Sequence, residues 1–509
     1  MGKLRLMICK ATMRTGLVHT TQSHDFCLCG LLISNMWHRL KRICWSGLEV
    51  ICLAGTSLAQ MATPSPSPTP PPYQQQRYDE DWNYLRDSER RIDPLDRLKY
   101  IPLNDRGWYV SLGGEARIRY EYFSEFAFGA GPQDSNGYFL QRYLVHADWH
   151  LGKRLRVFTQ LQSGIENGRK GGPRLTDDDR LEIHQAFVDL KFGSENNSIV
   201  LRLGRHEMDL GGGRLISSGE GLNVKRSLDG ARLIWKTRRW TTNAQVDKLT
   251  SVKLGLFNDT PGQSLTLWGI GTTRSRPKRR GGESAFYIGL DRKRGVFDQG
   301  AGGETRHTFG FRSFGQFPSF DYNLDAFVQL GNFTSLGTTS SIRAWAFSSD
   351  SGYTIGQSKI RPRIGLRADI TSGDNNPKDG VLQTFNPLLP GTTYSDTIGL
   401  IGAPNSIGLF PNLRMIPKGK LSMTVGSAFF WRESTRDGVY GINVTPLRTG
   451  QLSRARFVGA LPSARLEWPI QRHWSYTMIV SRFQTGQFLK ETPPGKNTNY
   501  LTSWLTFKF

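Results

Sequence analysis

Cysteine is absent after position 52. Cys9, Cys27, Cys29, Cys44 and Cys52 are the whole complement of a 509-residue chain. A form that loses this stretch needs no disulfide in an oxidising compartment and offers no thiol chemistry. Long apolar runs are also missing: no stretch of about 18 uninterrupted apolar residues occurs, which speaks against a helical membrane protein. A barrel is still allowed, because its spans are only about 10 residues of alternating character. Acidic residues are scarce, 43 against 66 Lys and Arg, and such a surplus points to an anionic partner: nucleic acid, lipopolysaccharide or an acidic solute. There is no GxSxG and no HExxH spacing, so no local signature marks a hydrolase or a zinc protease. The expectation is a protein that is not an enzyme and uses no metal or cofactor.

What is present begins with an export signal. Arg39, Lys41 and Arg42 form a basic region after Met36, residues 43–58 are mostly apolar and small, and Ser57-Leu58-Ala59 is a small-x-small cleavage site before Gln60. Glu49 interrupts the apolar part. Residues 1–59 therefore read as a signal peptide region, with Met36 as the candidate true start. Removing them leaves 59 Lys and Arg against 41 Asp and Glu, a surplus of 18 positive charges. Residues 60–77 are a spacer whose TPSPSPTPPP (63–72) favours a stiff polyproline conformation. Residues 78–107 are highly charged and read as a periplasmic or lumenal segment.

From Trp108 the period becomes two. Val110, Leu112, Ala116, Ile118, Tyr120 and Tyr122 share one face, and Ser111, Glu115, Arg117, Arg119 and Glu121 share the other. In FLQRYLVHADWHL, Tyr143, Val145, Trp149 and Leu151 oppose Arg142, His146, Asp148 and His150. Similar runs recur at 420–433 and 473–481, and near 155–165, 183–192, 198–208, 230–237, 252–257, 285–292, 306–314 and 322–331. GSENN (193–197) reads as a short turn; 168–180, 274–284 and 374–380 read as long polar loops. Charge in the middle of long strands argues against a soluble sandwich and for a barrel with a wet interior. The expected fold is all-β: a transmembrane antiparallel up-and-down barrel of about 16–18 strands over residues 108–509.

IRPRIGLRADITSGD (360–374) carries the most concentrated charge. A strand reading sets Arg361, Arg363, Arg367 and Asp369 on one face, the three guanidiniums within about 20 Å. Guanidiniums bind carboxylates bidentately, and rings of them select anions. The alternative is that they pair with carboxylates on neighbouring strands and brace the wall. Pro362 fits a strand start or bulge better than a ladder. Arg117, Arg119 and Arg142 join the inward set by alternation. Basic and aromatic residues lie on opposite faces, which argues against nucleic-acid binding.

LRLGRHEMDLGGGRL (201–215) lacks a following helix and so is no phosphate loop; its glycines read as a tight turn or bulge. DNNPKDG (374–380) lacks the terminal Glu of a calcium loop and reads as an exposed turn. The chain ends in NYLTSWLTFKF, where Leu505, Phe507 and Phe509 share an apolar face. This is read as the closing strand, pairing with the run near Trp108, and as the signal for the barrel assembly machinery.

Taken together, YDEDWNYLRD, RRIDPLDRLKYIPL, SLGGEARIRYE, HQAFVDL, LRLGRHEM with GGGRL, SLDGARL, GLDRKRGVFDQG with ETRHTFGFR, RPRIGLRADITSGD, TFNPLLP, FFWRESTRDGVYG and FLKETPPGKNTNYLTSWLTFKF resemble the alginate export family of Gram-negative outer-membrane proteins. The resemblance runs from about Tyr78 to Phe509. It implies a monomeric barrel of about 18 strands, in contact with outer-membrane lipid and lipopolysaccharide, with gating loops and an arginine-lined constriction. Through that constriction alginate or another anionic solute would pass passively. Arg361, Arg363, Arg367 and Asp369 are the positions the motif carries over, with Arg117 and Arg119 next. A general or small-substrate porin for organic acids or oligosaccharides is the competing expectation, with an outer-membrane barrel enzyme ranked behind it.

Overall fold

The computed structural model describes residues 70–356, 360–391, 398–418 and 420–509. The expected signal region, all five cysteines and most of the proline spacer lie outside them.

Eighteen antiparallel strands close into one barrel. In chain order they are β1 (Tyr109–Ser124), β2 (Tyr138–Leu151), β3 (Leu155–Asn167), β4 (Asp179–Ser194), β5 (Asn197–His206), β6 (Leu228–Thr237), β7 (Trp240–Ser251), β8 (Thr260–Arg276) and β9 (Gly281–Phe297). They continue with β10 (Gly300–Gln316), β11 (Phe320–Ser335), β12 (Thr338–Thr354), β13 (Arg363–Thr371), β14 (Ser406–Lys418), β15 (Leu421–Trp431), β16 (Phe457–Pro469), β17 (Trp474–Thr485) and β18 (Thr498–Lys508). Each pairs with its sequence neighbours, and β18 closes on β1 from Glu115 opposite Lys508 to Ser124 opposite Asn499. Closure leaves no ladder edge open, which a lipid environment requires.

The period-two pattern sets the two faces of the wall. On β1, Ser111, Glu115, Arg117 and Glu121 are buried inside, while Ile118 is 53% exposed outside. On β2, Val145 is 56% exposed between buried Leu144 and His146. Leu203, Phe309, Phe311, Val328, Leu330, Phe347 and Leu366 continue the exposed apolar belt around the ring, the outer surface a membrane-spanning barrel presents to lipid. Trp149, Trp235, Trp240, Trp468 and Trp474 sit at or beside strand ends on the rim that holds both ends of the barrel chain, where an aromatic girdle belongs.

The two rims differ as their connections require. On the rim that carries Tyr109 and Phe509, the links are as short as 195–196 and 238–239. On the far rim they reach 207–227, 372–405 and 432–456. Two expectations are corrected here. Residues 274–284 are not a long loop, because β8 and β9 extend over most of them and only 277–280 turn, on the short-link rim. Residues 252–257 are not a strand: they belong to the β7–β8 loop, where Phe257 takes a left-handed φ of +49°.

The interior is also less uniformly wet than charge alternation suggests. Leu265, Leu267, Phe286, Ile288, Leu290 and Phe327 point inward from the wall and form one core with Met208, Leu215 and Ile216 of the β5–β6 loop and with Phe385 and Leu388 of the β13–β14 loop. Inward-folded loops give these wall residues apolar partners, so burial drives the loops into the lumen.

Candidate functional site

The β5–β6 loop (207–227) crosses the lumen. Its anchor at one end is polar. Arg117 of β1 donates to the carbonyls of Glu220 (3.0 Å) and Leu222 (2.6 Å), and Arg119 donates to that of Gly221 (2.9 Å). Arg142 of β2 donates to both Glu220 and Leu222 carbonyls at 2.9 Å and pairs with the Glu115 carboxylate. Its other anchor lies half a circuit around the ring. Arg214 is 3.0 Å from Asp325 of β11, 3.9 Å from Asp369 of β13, and hydrogen-bonded to Ser348 of β12.

Between the anchors the loop folds on itself. Leu210 and Ile216 form an antiparallel bridge, and Ile216 bridges to Leu389 of the β13–β14 loop. Gly211, Gly212 and Gly213 turn this hairpin with φ of +64°, +63° and +78°, a run that side-chain-bearing residues resist. The expected tight turn in GGGRL is therefore present, and its purpose is to carry Arg214 across the lumen. The root of the loop is fixed by Glu207, which accepts from Lys225 Nζ (2.9 Å) and meets His184 Nε2 at 2.7 Å. Burial opposes ionisation of Glu207, but Lys225 and His184 outweigh it and hold the carboxyl below its ordinary range.

The short-link rim is partly covered from inside by the segment before β1. Arg77 donates to Gly114 O (3.0 Å) and Phe509 O (2.7 Å); Tyr78 inserts between Phe158 and Phe187 and donates to Glu207 O (2.8 Å). Lys99 donates to Leu112 O (2.8 Å), and burial pushes its ammonium down to about 7.

The sequence-selected cations fall into three groups. Arg117, Arg119 and Arg142 face inward and are committed to the loop and to Glu115 and Glu121. Arg363 faces inward but is braced by Asp321 (2.8 and 2.5 Å) and Asp350 (3.4 Å); Arg367 sits 3.2 Å from Asp369 and over the Phe410 ring. Arg361 is a correction: β13 starts only at Arg363, after Pro362, and Arg361 stands exposed in the preceding turn at φ +44°. Proline cannot donate to a ladder, so the inward row cannot begin before it.

A cavity in the lumen lies elsewhere. A cavity of about 280 Å³ separates the loop tip (Asp209–Gly212) from the wall formed by β6 to β10. Arg232 of β6 and Arg312 of β10 flank it, with Asn243 and Gln245 of β7, Thr273 of β8 and Ser284 of β9 between them. Arg232 donates to Asn243 Oδ1 (3.0 Å), makes no ion pair among the described residues, and leaves its Nε without a partner. Arg312 packs over Gly212, donates to Asn323 Oδ1 (2.9 Å), and shares Asp325 with Arg214. The carboxylate of Asp209, also on the cavity wall, already accepts from Gln76 (2.6 Å) and from the Ser218 N–H (2.8 Å). Sequence reasoning passed over this pair, although period two from Leu228 and from Arg306 turns Arg232 and Arg312 inward.

The alginate export family model matches residues 108–503. No curated protein matches the chain. Among solved structures, Pseudomonas aeruginosa OccK8 (OprE) is similar at 12% identity over 79% of this chain and 98% of that one, with a TM-score of 0.53. A BenF-like porin from Pseudomonas fluorescens Pf-5 is similar at 8% identity over 79% and 98%, with a TM-score of 0.53. Pseudomonas aeruginosa OccK2 (OpdF), solved in complex with glucuronate, is similar at 10% identity over 79% and 96%, with a TM-score of 0.51. These likenesses place the fold among porin-type barrels.

Proposed function

The chain belongs to the alginate export family and is an outer-membrane channel; from that premise we propose that it passively conducts an anionic solute, a uronate or a uronate-rich polysaccharide such as alginate, past the Arg232–Arg312 cavity. The observation that carries this reading is the state of those two guanidiniums. One is in no ion pair among the described residues, and the other shares a single carboxylate with Arg214. Both line open space, whereas Arg117, Arg142 and Arg363 are held by protein partners. A uronate offers one carboxylate on a hydroxylated ring. Guanidiniums match the carboxylate, and Asn243, Gln245, Thr273 and Ser284 match the hydroxyls. Contacts of this kind in a solvated lumen are weak enough for a solute to leave again, as conduction requires. Export would follow cleavage after Ala59, and the short-link rim would face the periplasm.

The crossing loop favours a second reading. With it in place, the open volume is slightly below the ~300 Å³ at which small-molecule pockets begin, enough for one ring rather than a polymer. The channel would then be a small-substrate porin for organic acids or short oligosaccharides, unless the loop swings aside.

Reversal potentials across a planar bilayer under a salt gradient test the selectivity. The wild type should prefer anions, and Arg232→Gln with Arg312→Gln should reduce that preference. A cation-selective wild type, or selectivity indifferent to both changes, would refute the proposal. Blocking by uronate oligomers of increasing length separates polymer passage from single-ring uptake.

A further inference from the structure

The upper part of β4 has lost one neighbour. The β4–β5 ladder reaches only to Ala186 opposite Arg205, because the chain then leaves the wall and enters the lumen as the loop at 207–227. Residues 179–185 keep β3 on one side alone. The β7–β8 loop fills the other side: Leu181 bridges in parallel to Leu256, and Phe257 N donates to Leu181 O at 2.9 Å.

This docking brings three carboxylates together. Asp179, Glu182 and Asp259 each offer an oxygen, and these oxygens lie within 4.8 Å of one another. Asp179 is 0% exposed, and neither of its carboxylate oxygens has a hydrogen-bond partner. Glu182 accepts from the backbone N–H of Ile183 and of Asp259, both at 2.9 Å, and Asp259 accepts from the Lys253 N–H at 2.7 Å. Those bonds orient the two groups without neutralising them. Arg205, which donates to Ile183 O nearby, is committed to Asp229 at 2.8 Å. None of the three carboxylates is in an ion pair among the described residues. Buried carboxylates are normally paired, hydrogen-bonded or bound to metal, and Asp179 has neither a cation nor a donor.

We propose that Asp179, Glu182 and Asp259 hold a calcium-class divalent cation, which clamps the β7–β8 loop to β4 where β5 has departed. The donor set is all oxygen, with no imidazole or thiolate, and so selects a hard cation. Calcium takes its oxygens at about 2.3–2.6 Å, so two of them can lie roughly 5 Å apart across the ion, which the 4.8 Å spacing satisfies. Magnesium keeps several waters in a strict octahedron, and the fully buried Asp179 carboxylate gives little room for them. The cation also stands at the root of the lumen loop, since Arg205 and His206 are the last wall residues before it.

Equilibrium dialysis with radioactive calcium tests this on the full chain refolded into synthetic phosphatidylcholine vesicles, which lack the lipopolysaccharide that would itself bind cations. The wild type should retain one calcium per barrel. Asp259→Asn, at a half-buried position that can be changed without emptying the wall, should weaken binding roughly tenfold or more, as should Glu182→Gln. Calcium should raise the midpoint of heat denaturation of the wild type and leave that of Asp259→Asn unmoved. No stoichiometric calcium in the wild type, retention unchanged in both variants, or tighter binding of magnesium than calcium would each overturn the proposal. Should Asp179→Asn fail to insert, the other two variants decide the matter.

Discussion

Arg142 of β2 holds the Glu115 carboxylate of β1 and, with the same guanidinium, the backbone carbonyls of Glu220 and Leu222. One buried side chain thus ties wall to wall and wall to loop. Replacing it by methionine keeps the stem and removes every donor. The cost is about 1–3 kcal/mol, because the buried Glu115 loses its hydrogen-bonded guanidinium and keeps only Lys508 at 3.4 Å among the described residues. The loss falls on loop docking, since the wall is held independently by its backbone ladders. Single-channel recordings of Arg142→Met should therefore show larger or longer openings than the wild type; unchanged openings would mean the loop does not limit conductance.

The 360–374 segment separates bracing from selectivity. Arg363 is held by Asp321 and Asp350, while Arg361 stands outside the wall in a turn. Arg361→Ala should leave ion selectivity and stability as they are. Arg363→Ala should lower the midpoint of heat denaturation by the equivalent of about 1 kcal/mol or less, because two partly exposed carboxylates lose their charged donor, with little change in selectivity. A selectivity change in Arg361→Ala would restore the turn to the solute path.

The barrel was legible because period two survives over most of the wall, although a bulge such as that in β4 buries both His184 and Gln185: the wall needs one apolar and one polar face whatever the loops do. Strand limits were less so. Residues 252–257 alternate like a strand but hold a left-handed Phe257 and pair through one bridge only, a tertiary arrangement that alternation cannot encode. The lumen loop was hidden for a different reason. Its partners, Arg117, Arg142, Asp325 and Asp369, come from strands far away in sequence, and nothing local to 207–227 announces them. The three glycines before Arg214 were the available sign. Charge count also misled: a cluster of arginines marks a bracing network when carboxylates face it, whereas Arg232, the one arginine of its strand, faces the cavity with no ion pair among the described residues.

Glu207 makes the loop pH-sensitive. Its carboxyl is held below the ordinary range by Lys225 and His184 against burial. A depressed carboxyl contributes docking stability above its undocked pKa, about 4.3, and that contribution is lost as pH falls through the lower docked value. Open probability in bilayers should therefore be flat near neutrality and rise as the pH drops below about 4.3. Glu207→Gln should shrink this rise, leaving the part carried by Glu115 and Glu220, and give a more open channel at pH 7. A wild type that closes on acidification would contradict the assignment.

Phe509 closes the ring. It exchanges backbone hydrogen bonds with Gly114 (2.9 and 3.1 Å), accepts from Arg77 (2.7 Å), and lays its ring over the glycine so that a Cβ there would stand 2.7 Å from it. Deleting Phe509 removes two ladder bonds at the β1–β18 seam and the outward aromatic that we read as the mark for the assembly machinery. Gly114→Ala leaves the ending intact but forces the ring away, and its added Cβ also meets Leu144 O at 2.6 Å. Cells making the deletion should show less heat-modifiable, membrane-inserted barrel than wild type, with unfolded chain accumulating before insertion. Refolding of both proteins into vesicles without the machinery separates the two roles. If the deletion refolds as well as the wild type there but inserts poorly in cells, the terminal aromatic acts as a signal. If it fails in both, and Gly114→Ala fails with it, the residue acts through the seam. Normal insertion in cells would remove Phe509 from both roles.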